Sequence, residues 1–157
     1  MKIMLAFKKT PEDWVDKLVM WYTKSDYCHV ELLLPDENGD LQKGYWFSAN
    51  PRKGIRLKPI EYPLDHQNWD YKEIVVNKKY LKDVYQKIDK IKDYKYAAWD
   101  IILVQVFKLD KMESRKKMFC SEAVCEILKI FRERKIKKFM DVPCVNFSPE
   151  DLHRIYT

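Results

Sequence analysis

Phe119-Cys120-Ser121-Glu122 stands at the head of an amphipathic run that continues to Phe131. The apolar spacing there predicts a helix over about 119–134. A cysteine in the first turn of a helix faces unpaired backbone N–H groups and the positive end of the dipole. Both favour thiolate over thiol, and the thiolate is the nucleophile. Far earlier in the chain, Tyr27-Cys28-His29-Val30-Glu31-Leu32-Leu33-Leu34 predicts a strand that carries a candidate base, His29. A helix-start cysteine and a strand histidine are two parts of a cysteine hydrolase. Here they occur in the order His, then Cys.

A third group would hold the imidazole in one tautomer. Side chains two apart on a strand share a face, so Glu31 lies beside His29, while Cys28 and Val30 point the other way. Ser48, on the predicted next strand, competes for the same role. Plainer roles exist for each: Glu31 in an ion pair with a lysine, Ser48 as an exposed strand serine. Cys125 suits a small buried apolar position on the cysteine helix. Glu122 is either a favourable first-turn acid or a bond to the backbone that shapes the site.

The elements that must position these groups follow from periodicity. Strands are predicted at Lys2 to Phe7, Tyr27 to Leu34, Tyr45 to Ala49, from Lys53 to Leu57, and Tyr71 to Val76. Thr10-Pro11-Glu12-Asp13 predicts a helix start capped by Thr10, with Trp14, Val15, Leu18, Val19 and Tyr22 on one face. Tyr80, Leu81, Val84, Ile88 and Ile91 recur at helical spacing, and another helix is predicted from Tyr94 to Val106. Ser148-Pro149-Glu150-Asp151 begins a last one. Strands followed by helices predict one α+β domain over residues 1–157, a small antiparallel sheet packed against helices.

The apolar runs are too short to span a bilayer, and the N-terminus is too weakly apolar for a signal peptide. The expectation is therefore a cytoplasmic protein with reduced thiols. The four cysteines form no C-x-x-C pair, and Cys28, His29, His66 and His153 match no zinc-ligand spacing. Three glycines limit any phosphate-wrapping loop. The net charge of +6 is concentrated in Arg115-Lys116-Lys117 and in Lys129, Arg132, Arg134, Lys135, Lys137 and Lys138. Such a patch suits an anionic partner, although a solvated lysine-rich face is the plainer reading.

These segments together resemble the circularly permuted papain-like hydrolases, relatives of the NlpC-type cell-wall endopeptidases and of lecithin:retinol acyltransferase. The resemblance rests on Cys28-His29-Val30-Glu31-Leu32, Trp46-Phe47-Ser48-Ala49-Asn50 with Gly54-Ile55, Tyr96-Ala97-Ala98-Trp99-Asp100, Phe119-Cys120-Ser121-Glu122 and Ser148-Pro149-Glu150-Asp151-Leu152. It implies Cys120 as nucleophile, His29 as base and Glu31 or Ser48 as third member, with no cofactor and no metal. The glycine-rich segment that follows the histidine in cell-wall members is replaced by Glu31-Leu32. The implied reaction is cleavage of a peptide or isopeptide amide through a thioester. A lipid ester or amide substrate is the alternative, with peripheral membrane contact. A basic binding module without enzymatic activity is a further alternative, but no nucleic-acid signature supports it.

Overall fold

The computed structural model describes residues 1–50, 54–96 and 117–157. Five antiparallel strands form its main sheet: β1 (Lys2–Lys8), β2 (His29–Leu34), β3 (Tyr45–Asn50), β4 (Gly54–Pro59) and β5 (Trp69–Val75). Their spatial order is β4-β3-β2-β1-β5. Four described α-helices accompany it: α1 (Trp14–Thr23), α2 (Leu81–Ile91), α3 (Cys120–Phe131) and α4 (Pro149–Tyr156). The short strands β6 (Lys95–Tyr96) and β7 (Lys117–Met118) pair in parallel. The α+β expectation is met.

The pleat divides the sheet into two apolar faces. Ile3, Leu5, Phe7, Val30, Leu32, Leu34, Phe47, Ala49 and Ile55 pack with Val124, Ile127, Leu128 and Phe131 of α3 in the main core. Each large aliphatic side chain fully buried there stabilises the fold by roughly 1.5–3 kcal/mol. Ala6 and Leu33 lie on the opposite face, under Ile60, Leu64, Trp46, Trp69 and Tyr71. Every residue of β2 is therefore buried, and the strand is covered on both faces. That explains why its apolar run is nearly continuous. It also makes His29 and Glu31 polar groups in a covered sheet, which need partners.

Several expectations are corrected. Helix α1 starts at Trp14, and its cap is Asp13, whose carboxylate accepts the Asp16 N–H at 2.9 Å. Thr10 instead donates its hydroxyl hydrogen bond to Asn68. Trp14 is 58% exposed, while Val15 and Val19 hold the buried face. Strand β2 begins at His29 rather than Tyr27. Residues 95–96 are extended rather than helical. The rest of the helix predicted to Val106, with the Ala97-Ala98-Trp99-Asp100 motif, lies outside the described residues. Cys125 is joined to Cys144 in a disulfide, so it is a cross-link and not merely a small apolar filler, and the expectation of reduced thiols fails for this pair. Among the described residues, no helix is long and apolar enough to cross a membrane.

Candidate active site

Helix α3 places Cys120 at its first position because Phe119, with extended backbone, ends the preceding segment. The Glu122 carboxylate turns back to accept the Phe119 N–H at 3.2 Å. That bond satisfies a donor at the helix start and fixes the entry angle of the chain. Phe119 itself is held by Val19 of α1. The helix then buries Ala123, Val124, Ile127, Leu128 and Phe131, so its apolar face against β2 and β3 sets where the sulfur stands.

The sheet prepares the other half. Among the described residues, β2 and β3 pair only over Leu32, Leu33 and Leu34. The half of β2 that pairs with β1 but not with β3, His29 to Glu31, is the part that faces the start of α3. The His29 ring and the Cys120 thiol stand close enough for each to shift the other's protonation, and the backbone N–H groups of Val30 and Ser121 also act on the sulfur. Two chain segments far apart in sequence, α3 and β2, thus pack on one another.

His29 Nε2 lies 3.1 Å from Glu31 Oε1 and 3.0 Å from Ser48 Oγ. The Ser48 hydroxyl has backbone acceptors of its own, Val30 O at 3.3 Å and Ala49 O at 3.4 Å. It can donate to one of these and still accept from Nε2–H. An Nε2–H shared between Glu31 and Ser48 leaves Nδ1 as the nitrogen for Cys120. Both candidate third members therefore reach the ring. Cys28 does not: its sulfur points to Lys8 O and Thr10 O.

Arg56 falls within the strand expected from Lys53 to Leu57, but nothing in the sequence marks it as a site residue. Its Nη2 donates to the same Glu31 Oε1 at 2.7 Å. It stands opposite Ser48 in the β3–β4 register, which no local pattern in Gly54-Ile55-Arg56 reveals. The Glu31–Arg56 pair borders an open cavity of about 230 Å³ lined also by Trp46, Lys58, Trp69 and Tyr71.

Burial and partners set the protonation states. Burial works against a charged His29, but the Cys120 sulfur and then Glu31 outweigh it and raise the imidazole above its ordinary value. Burial likewise opposes the Cys120 thiolate. The His29 charge, helped by the Val30 and Ser121 N–H groups, holds this thiol below its ordinary value. Burial also favours a neutral Glu31, yet His29 and Arg56 keep it below the usual carboxylate range. The three shifts agree in direction: each favours the ionised form, thiolate on Cys120, imidazolium on His29 and carboxylate on Glu31. Cys28 has no such partner, and burial pushes it up to about 12.

The remaining histidines are engaged elsewhere: His66 meets the Tyr71 ring, and His153 meets Tyr27. No group of three or more metal-binding side chains comes together among the described residues. Arg132, Arg134, Lys135, Lys137 and Lys138 are exposed, whereas Lys129 ties to Met140 O and Val142 O. No protein-family model matches this chain, and no curated protein matches it.

Proposed function

We propose that this protein is a cysteine hydrolase or acyltransferase that cleaves an amide bond, peptide or isopeptide, through a thioester on Cys120. The observation that carries the reading is the His29 ring held by Glu31 and Ser48 at Nε2, together with its electrostatic coupling to Cys120 at the start of α3. A buried cysteine with no task would be a neutral thiol with a raised pKa, as Cys28 is.

In the proposed reaction, the Cys120 thiolate attacks the carbonyl carbon. The oxyanion that develops meets the Cys120 backbone N–H, which has no intrahelical acceptor at the helix start. The C–N bond then breaks, and His29 Nδ1–H supplies the proton to the leaving amine. His29, now neutral, takes a proton from water or a second nucleophile, which releases the acyl group and restores the thiolate. Glu31 supports the imidazolium throughout. The resemblance to permuted papain-like hydrolases points to the same residues.

The test has two stages. Iodoacetamide at neutral pH should alkylate wild type at Cys120, read by peptide mass spectrometry, and Cys120→Ala should remain unmodified. Incubation with peptidoglycan peptides, and separately with phospholipid vesicles, should then yield an acyl adduct on Cys120 from the first. An adduct only from the lipid moves the substrate to an ester or lipid amide. Equal alkylation of wild type and Cys120→Ala removes the nucleophile.

A further inference from the structure

Arg56 sits on β4, next to β3 and opposite Ser48. Its Nη2 lies 2.7 Å from Glu31 Oε1, and that oxygen is 3.1 Å from His29 Nε2. One carboxylate oxygen therefore bridges a guanidinium and an imidazole. Glu31 is only 3% exposed. A carboxylate with so little water around it keeps its charge only through its partners. Arg56 is the one of the two that never gives up its proton.

Arg56 Nε is buried and has no hydrogen-bond partner among the described residues. An unmet buried donor is costly, and stability alone gives no reason to keep it. The guanidinium accepts that cost in a pose that delivers Nη2 to Glu31.

We propose that Arg56 is a positioning residue for the Cys120–His29 pair: it clamps Glu31 as an ionised, fixed acceptor, so that the His29 ring holds its other nitrogen toward the sulfur. Its importance for acyl transfer rests on the proposed function, but its action on the sulfur can be measured without any substrate. Were Arg56 only an edge ion pair, its loss would lower stability and leave the thiolate unchanged.

The experiment is the pH dependence of Cys120 alkylation by iodoacetamide in wild type, Arg56→Gln, Arg56→Lys, Glu31→Gln and the double variant Arg56→Gln/Glu31→Gln. Arg56→Gln should slow alkylation at pH 6 about tenfold, the effect of a one-unit rise in the thiol pKa. Arg56→Lys keeps the charge but not the fork, and should fall between the two. In the Glu31→Gln background, Arg56→Gln should add nothing further, because the carboxylate it acts through is gone. An additive loss in the double variant, or a wild-type profile in Arg56→Gln, overturns the proposal. If Arg56→Gln does not fold, Arg56→Lys decides: a slowed rate supports the clamp and an unchanged rate overturns it. Failure of the acyl-transfer reading would look different, as an intact alkylation profile with no acyl adduct from any carbonyl substrate.

Discussion

Ser48 Oγ lies 3.0 Å from His29 Nε2, on a strand whose ladder with β2 stops before either residue. The gap lets a hydroxyl from β3 reach a ring that Glu31 already holds. The two partners differ in charge, and a hydrogen bond to an ionised acceptor is roughly twice as strong as a neutral one. We therefore predict that Glu31→Gln slows Cys120 alkylation at pH 6 by about tenfold, and Ser48→Ala by about threefold, as scaled from pKa linkage. Stopped alkylation time courses on the two variants check the order.

The reactive window is set by two opposed shifts. Cys120 lies below its ordinary value and His29 above its own. Alkylation of Cys120 should therefore begin below the range of a free thiol as pH rises, then hold a plateau. The plateau should change only when His29 loses its proton above the normal histidine range. Cys28, pushed up to about 12, should contribute nothing across that plateau. A rate profile that follows an ordinary thiol would contradict the ion pair.

Stability should show the carboxylate's share. Glu31 is held below its usual range in the folded state. Its contribution is present above the unfolded glutamate value and disappears as acid carries the pH down through the lower folded value. The melting temperature of wild type should exceed that of Glu31→Gln at neutral pH, and the difference should shrink on acidification. Scans at a series of pH values test the sign.

The Cys125–Cys144 bond closes a loop with a sequence separation of 19. A loop of that size is worth roughly 3 kcal/mol. Cys125→Ala/Cys144→Ala should melt about 6–12 °C lower, by the scaling for domains of this size. Since the bond joins α3 to the turn before α4, Cys120 alkylation at pH 6 should also slow in the variant, as the loosened helix carries the sulfur away from His29.

Gly54 has a positive φ of 71°, and a Cβ there would stand 2.4 Å from the Tyr94 carbonyl oxygen. Left-handed backbone costs a substituted residue about 1–2 kcal/mol before any clash is counted. Gly54→Ala should lose more than about 2 kcal/mol in urea unfolding. Because Arg56 is two residues on, the same substitution should also slow Cys120 alkylation.

What was legible in the chain followed from local rules. The pleat alone put Glu31 beside His29, and the first-turn position alone marked Cys120 apart from Cys125. The sheet's α+β character followed from strands preceding helices. What escaped was set by distant packing. Arg56 reaches Glu31 only through the β3–β4 register, and Cys125 finds Cys144 only through the fold of α3 against the following turn. The start of α1 was misplaced because Thr10 and Asp13 are both good caps, and a tertiary bond to Asn68 decided between them.

One arrangement has a bearing on how this machinery can fail. Imidazole and carboxylate sit two positions apart on a single extended segment, so no rearrangement of loops can separate them; they travel as a cassette. The sulfur arrives on a different carriage, berthed by the oily flank of a helix. On the proposed function, damage anywhere along that flank would leave the imidazole and carboxylate paired but without their sulfur, so an inactive relative would be sought first in the seating of α3, not in the loss of its polar residues.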